Sequence, residues 1–389
     1  DHSPALELLV DDGEVVGARG VSRQTGERWT VRAGAVVIAT GGCAFLSKAL
    51  GCNVLTGDGG LLAAEVGAEL SGMEFSNAYG LGPAFASVTK SAFYRFASFY
   101  YEDGSPIDSA GSARGRSVIA KTLLTQPVYC KLDRAPEDIR PLLRAAQPNF
   151  FLPFDRRGID PLTQRFQVTL RLEGTVRGTG GIRIVDENCA SSVPGLYAAG
   201  DAATRELICG GFTGGGSHNA AWAMSSGSWA GEAAAGHALR GSAVRREGRG
   251  AGTASLIADG ARELDPQAVI TGVQDEVLPY DKNLFRTQRG MRESLSKLDA
   301  LWGELQTRPR QDAFSVIRGR EAAAMVATAR WMYRTASERK ETRGMHKHMD
   351  HPGLDPNQQR RLLTGGLDQV WVRPERELAQ PAQFVAANA

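Results

Sequence analysis

Along the first forty residues, short apolar runs are broken by turn-forming residues. Leu6-Glu7-Leu8-Leu9-Val10 and Val15-Val16-Gly17-Ala18 flank Asp11-Asp12-Gly13, which predicts two strands joined by a tight turn. A third strand is expected at Trp29-Thr30-Val31. Ala35-Val36-Val37-Ile38-Ala39 shows no alternation and ends in Thr40-Gly41-Gly42, the pattern of a strand buried on both faces of a parallel sheet. Asp58 is placed as the N-cap of a helix reaching about Leu70. From about Met73 to Leu172 the pattern loosens, with aromatic clusters at 93–96 and 99–101 and a helix expected over 117–124, so this stretch reads as an inserted domain. A β pattern returns at Gly181-Ile182-Arg183-Ile184 and at Leu196-Tyr197-Ala198-Ala199, the latter closing in Gly200-Asp201. After a glycine-rich stretch at 210–216, an alanine-rich helix is expected from about Ser217 to Leu239.

Residues 240–262 are polar and glycine-rich and read as a linker or long surface loop. Beyond them Leu284, Met291, Leu295, Leu298, Trp302 and Leu305 recur at steps of three, four and seven, one face of an amphipathic helix. A second helix covers about 320–338, and no internal repeat is visible.

Composition narrows the function classes. The 389 residues are 42% hydrophobic and 23% charged, which is globular and excludes disorder, collagen and coiled coil. Lys and Arg number 45 against 43 acids, a net charge of +2, so there is no electrostatic case for nucleic acid. No apolar run approaches the roughly 18 residues of a membrane helix, so no transmembrane segment is expected. Cys43, Cys52, Cys130, Cys189 and Cys209 form no CxxC pair, which leaves iron–sulfur and structural zinc sites without ligands. Scattered free thiols fit a reducing, cytoplasmic compartment. The 46 glycines gather in short apolar strings, a usage that brings backbone close to a ligand.

Those strings form a constellation. The strand at 36–39 ends in Thr40-Gly41-Gly42, Thr56-Gly57-Asp58-Gly59 opens a helix, and the strand at 196–199 ends in Gly200-Asp201 and runs through glycines to Ser217. Parallel strands that end in glycines leave a crevice at their carboxyl edge, where open α/β sheets bind nucleotides. Asp201 is suited to accept hydrogen bonds from ligand hydroxyls. The helix start at Ser217, with its free amides and positive dipole end, suits an anionic or electron-rich group.

On these strings the sequence resembles the flavoprotein subunits of the succinate dehydrogenase, fumarate reductase and L-aspartate oxidase superfamily. The matching segments are AVVIATGG at 35–42, TGDGGLLAAEVGAELSGMEF at 56–75, TGGI at 179–182 and GLYAAGD at 195–201. The resemblance implies FAD as cofactor, held at Thr40, Gly41, Gly42, Asp58, Gly200, Asp201, Gly216 and Ser217, with Asn219 and Ala220 at the pyrimidine edge of the flavin ring. A helix N-terminus aimed at that edge stabilises the negative charge of the reduced flavin. The family's strand–GxGxxG–helix unit has no counterpart near Asp1, so the expected fold is α/β: a doubly wound FAD-binding sheet, incomplete here, with an inserted α+β capping domain and a C-terminal helical region. The expected domains are 1–72 and 173–240 for the FAD-binding fold, 73–172 for the cap, 241–263 for a linker and 264–389 for the helical region.

In the dicarboxylate branch two histidines and an arginine hold the substrate. Here those positions align with Tyr79, with Val176 and with the stretch Thr213-Gly214-Gly215-Gly216. Fumarate and succinate are therefore poor substrates in expectation. Arg116 matches the family's proton-donor arginine, although its acidic neighbour is replaced by Ser117. Its planar fork is physically better suited to clamping an anion. A narrower resemblance, through Gly215-Gly216-Ser217-His218 and Arg339-Lys340-Glu341-Thr342-Arg343, points to the α subunit of adenylylsulfate reductase. It implies sulfite chemistry beside FAD and a separate iron–sulfur or ferredoxin-like partner. His218 then stands at the flavin as a catalytic candidate, and Arg177 supplies positive charge beside the lost histidine at Val176. His346, His348 and His351 surround Asp350, but the family carries a similar basic segment without metal, and no metal is expected. The expectation is thus an FAD-dependent oxidoreductase exchanging hydride or an electron pair at flavin N5 with a small anionic substrate. The alternatives are the adenylylsulfate-reductase-like protein and a non-enzymatic FAD-binding electron-transfer or scaffold subunit.

Overall fold

The computed structural model describes residues 2–89, 91–111, 115–212, 217–241, 247–256, 265–305 and 312–375. The expected hairpin is β1 (Ala5–Asp11) and β2 (Glu14–Val21), joined through Asp12 and Gly13, both at positive φ. That is the turn geometry whose twist matches antiparallel strands. β3 (Arg28–Arg32) continues the sheet on one side. The buried run at 35–39 becomes β4 (Val36–Ile38), which pairs in parallel with β11 (Leu196–Ala198) in the register Val36 to Leu196 and Ile38 to Ala198. Two strands cannot bury themselves. Helix α1 (Asp58–Glu65) contributes Leu62 and Ala63, and α7 (Ser217–Arg240) contributes Trp222, Ala230 and Ala234, to one apolar core with Ile38 and Ala198.

Asp58 is not the N-cap of α1. Gly57 takes that place at φ +92°, and Asp58 is the first helical residue. A Cβ at Gly57 would stand 2.8 Å from Thr328 Oγ1 and 3.0 Å from Cys43 Cβ, so the left-handed backbone and the crowding together demand glycine. Asp58 is instead fixed by a hydrogen bond from the Thr56 hydroxyl.

The inserted region forms its own antiparallel sheet. β6 (Ala78–Pro83), β9 (Phe166–Glu173), β8 (Val128–Lys131) and β7 (Ser98–Tyr100) lie in that order, accompanied by α2 (Gly115–Leu123), α3 (Arg140–Ala146) and α4 (Pro148–Asp155). Phe93 from the aromatic run meets Phe150 and Phe151 of α4 at 5.3 and 5.9 Å, and Phe154 meets Phe166 at 4.7 Å. The aromatic run therefore serves as core of this inserted region.

A further sheet stitches distant segments together: β10 (Gly181–Ile182), β5 (Leu70–Ser71), β13 (Leu362–Gly365) and β14 (Trp371–Pro374). The C-terminal region thus carries strands as well as its helices α8 (Pro266–Val277), α9 (Tyr280–Asn283), α10 (Gln288–Glu304) and α11 (Ala313–Glu338). Within the span read as a linker, β12 (Arg249–Gly250) folds back onto β1. Ala322 to Ala327, Ala329, Trp331, Met332 and Tyr333 are all buried. A helix apolar on every side has to be a central one, and α11 packs against α1, α8 and α10. Short turns of helix, α5 (Gly174–Arg177) and α6 (Glu206–Cys209), complete the chain.

Candidate functional site

The glycine strings converge as their patterns predict. Gly41 has φ +77° at the end of β4, and a Cβ on the next residue, Gly42, would lie 2.3 Å from Thr175 Oγ1. Thr175 stands that close because it is stapled to the strand end. The Cys43 amide donates to Thr175 Oγ1 at 2.7 Å, and the Thr175 amide donates to the Cys43 carbonyl at 3.0 Å. Thr40 packs over α1, since a Cβ at Gly59 would meet its Oγ1 at 2.2 Å. Gly41, Gly42, Gly57, Gly181 and Asp201 share one crevice, floored by Thr328 and Trp331 of α11. At the end of β11, Gly200 has φ +62°, its amide donates to Ser226 Oγ at 3.0 Å, and its carbonyl accepts from Trp222 Nε1 at 2.9 Å. Helix α7 thereby fixes the strand end that carries Asp201.

Asp201 differs from its sequence reading in one respect. Its carboxylate does not simply await a ligand hydroxyl, because it already accepts from Arg205 Nη1. Arg205 is 1% exposed, and its Nη2 donates to the carbonyls of Thr175 at 3.2 Å, of Val176 at 2.9 Å and of Gly178. Burial pulls the guanidinium pKa down and Asp201 opposes that pull.

Asn219 lies in the first turn of α7 and donates from Nδ2 to the Val176 carbonyl at 3.3 Å. Its Oδ1 is buried without a partner, as are Thr179 Oγ1 and Ser76 Oγ. Buried acceptors left open are uncommon and call for a missing group. The flavin pyrimidine edge offers an N–H to such an acceptor, so the residues present fit the cofactor. Ala220 and His218 are exposed on the same turn, Ser217 opens the helix, and Gly216 lies outside the described residues.

The catalytic candidates are dispersed. Arg116 is exposed in the first turn of α2 on the cap. Arg177 is half-buried at the end of α5, 3.8 Å from Glu173. Tyr79, at a lost histidine position, is buried and donates its hydroxyl to the carbonyls of Val277 and Leu278, both at 3.1 Å. It closes the end of α8. Val176 is buried too, and the 213–216 stretch lies outside the described residues.

Burial pushes the Cys43 thiol pKa well up, which makes it unreactive at neutral pH. Glu206 is pushed up to about 7, first by burial and then by the nearby Glu74 carboxylate, against the lowering pull of Ser71 and Arg361. His346 is buried between Arg286 Nη1 and the Arg339 carbonyl, both at 2.9 Å. Its ring packs with His348, and His348 packs with His351. Among the described residues no group of three or more His, Cys, Asp or Glu is arranged to hold a metal, and no helix is long and apolar enough to cross a membrane.

Sequence reasoning missed Arg205, Glu206, Ser76 and Thr179. Thr179 sits inside the quoted TGGI string and was within reach. The others have no motif.

Residues 1–79 match the family model of the FAD binding domain, and residues 275–366 match that of the fumarate reductase flavoprotein C-terminus. The chain is 26% identical over 400 aligned positions to one component of the fumarate reductase (CoM/CoB) of Methanothermobacter marburgensis, covering 93% of this chain and 69% of that protein. It is 27% identical to the fumarate reductase flavoprotein subunit of Mycobacterium tuberculosis, covering 90% and 67%. Among solved structures, an E. coli quinol fumarate reductase chain superposes with a TM-score of 0.77 at 22% identity, over 98% of this chain and 72% of that one. The adenylylsulfate reductase of Archaeoglobus fulgidus gives 0.73 at 17% identity, over 96% and 72%.

Proposed function

We propose that this FAD-dependent oxidoreductase is a member of the fumarate reductase/succinate dehydrogenase flavoprotein family and that it exchanges hydride or an electron pair at flavin N5 with a small anionic substrate other than a C4 dicarboxylate. The observation that carries this reading is a glycine-lined crevice that holds Asp201 and Thr175, with an open buried acceptor, Asn219 Oδ1, on a side chain bonded to the carbonyl of Val176, the residue after Thr175. Bound FAD supplies the two-electron chemistry. The chain's own residues shape its surroundings. Asn219 and the N-terminal dipole of α7 address the pyrimidine edge and favour negative charge there. Asp201 and Asp58 hold the ribityl side, and the glycines of 40–42 admit close approach.

The cap, residues 73–172, closes over this face, between the two FAD-binding segments 1–72 and 173–240. Arg116 clamps or protonates the anion from the cap side, with Arg177 as the second cation. Tyr79 and Val176 offer no charge to a second carboxylate, because one caps a helix and the other is apolar. Five cysteines scattered without a CxxC pair support work in the reducing cytoplasm, with electrons passing to a separate iron–sulfur or ferredoxin-like protein.

A second reading rests on His218, which stands exposed one residue before Asn219. In it the anion is sulfite, as in an adenylylsulfate-reductase-like protein. Both readings meet one test: anaerobically reduced protein is mixed with fumarate, other unsaturated acids, and sulfite with AMP. Fumarate turnover in the usual enzymatic range, on the order of 1–1000 per second, would overturn both. Reaction confined to the sulfite mixture would select the second.

A further inference from the structure

Asp201, the turn at 174–178 and Asn219 come from three separate parts of the chain; Asp201 and Asn219 are expected at the cofactor, and Thr175 of the turn lines the crevice with Asp201. One side chain touches two of them directly and reaches the third through a shared atom. Arg205 donates from Nη1 to the Asp201 carboxylate and from Nη2 to the carbonyls of Thr175, Val176 and Gly178. The Val176 carbonyl also receives Asn219 Nδ2 at 3.3 Å. Thr175 is in turn stapled to Cys43 at the end of the first glycine string. The main chain repeats the connection, since the Arg205 amide donates to the Thr179 carbonyl at 2.8 Å.

This arrangement is expensive in isolation. A guanidinium buried to 1% exposure loses its hydration and recovers it only through fixed acceptors. Three carbonyls converging on one terminal nitrogen repel each other without a cation between them. Their convergence holds α5 in a tight turn, beginning at Gly174 with φ +53°. Without the guanidinium the turn would relax, and with it the Thr175 staple and the Asn219 contact.

We propose that Arg205 is a positioning residue for the cofactor, holding Asp201, the 174–178 turn and Asn219 in the arrangement that receives FAD before FAD arrives. The inference rests on the placement of FAD given above. Arg205 itself needs no contact with the cofactor. Its planar fork is essential, since a lysine ammonium keeps the charge yet cannot serve a carboxylate and three carbonyls from two nitrogens at fixed spacing.

The test is a double-mutant cycle in FAD affinity, read by titrating FAD-free protein with FAD. Arg205→Lys is expected to raise the dissociation constant at least about tenfold, and Asp201→Asn by about fivefold or more. Because Asp201 is the cofactor ligand and Arg205 fixes it in place, much of the Arg205→Lys effect should vanish once Asp201 is replaced, and the double variant should fall well short of the product of the two single effects. Multiplicative effects in the double variant, or Arg205→Lys affinity within about twofold of wild type, would overturn the proposal. If Arg205→Lys yields no folded chain, Arg205→Gln, which keeps an N–H donor and drops the charge, takes its place: FAD bound about tenfold more weakly or worse supports the proposal, and affinity within about twofold of wild type overturns it. A wild-type chain that binds no FAD would remove the site placement and this inference with it. Normal wild-type binding with an unresponsive Arg205→Lys removes this inference only.

Discussion

Inside the cap, Phe93, Phe150, Phe151, Phe154 and Phe166 meet ring to ring at 4.7 to 5.9 Å. In the wall that runs from Thr175 at the crevice back to Asn219, the backbone carbonyls of Thr175, Val176 and Gly178 converge on a buried guanidinium, and Asn219 keeps an acceptor open. The ring cluster is non-directional and gains its stability from area removed from water. The wall is directional throughout. Removing one of its atoms changes where a carbonyl or carboxylate points more than how much surface is buried. A substitution in the cap core should therefore register in stability, and one at the wall in cofactor affinity and redox behaviour.

The cap core should give the greatest loss. Phe150 is fully buried among four rings, and Phe150→Ala should cost about 3–5 kcal/mol of stability in urea unfolding. FAD affinity of the folded fraction should be unchanged. A loss under about 1 kcal/mol would mean that the rings do not form a packed core.

Arg116 separates chemistry from packing within the cap itself, because it is the cap's proposed contribution to the reaction. Arg116→Lys keeps the charge and loses the two-pronged donor. Turnover of the true substrate should fall roughly a hundredfold, with flavin absorbance and melting temperature unaltered, as expected for an exposed side chain. Near-full activity would leave Arg116 as a surface residue and bring Arg177 or His218 forward.

A weaker effect is a pH dependence beside the wall. Glu206 in the folded chain is pushed up to about 7 from an ordinary 4.5. Between those values the folded state keeps a proton that the unfolded chain has released, so stability falls as pH rises from about 4.5 to 7 and is flat above. Glu206→Gln fixes the neutral form. Denaturation at pH 5 and at pH 7.5 should show a larger gap for wild type than for Glu206→Gln, and equal gaps would mean that Glu206 does not set the pH dependence.

Much of the frame was legible in the sequence. A continuous apolar run closed by glycines is a buried parallel strand, and β4 and β11 pair in register as that pattern implies. The stripe expected from Leu284 to Leu305 became α10 from Gln288 to Glu304, with Leu305 as its C-cap, while Leu284 ends the short α9 instead. What escaped reading has a common cause. The partners of Tyr79 are backbone carbonyls of Val277 and Leu278, about two hundred residues away, and a carbonyl has no residue identity to recognise. Arg205 was hidden the same way, inside a polar-looking Thr-Arg-Glu segment whose partners are again carbonyls. At Asp58 the cap preference of aspartate competed with a glycine one position earlier, and crowding by Thr328 and Cys43 settled it.

Every role proposed for the wall depends on whether Asn219 faces the pyrimidine edge of the flavin. The deciding measurement is the flavin midpoint potential of Asn219→Asp against wild type, at equal FAD content. A carboxylate placed where the reduced flavin gathers negative charge should lower the potential by about 30 mV or more, equivalent to about 1.4 kcal/mol for a two-electron couple. An unchanged potential with FAD fully bound would put the flavin elsewhere and contradict the assignment of the site.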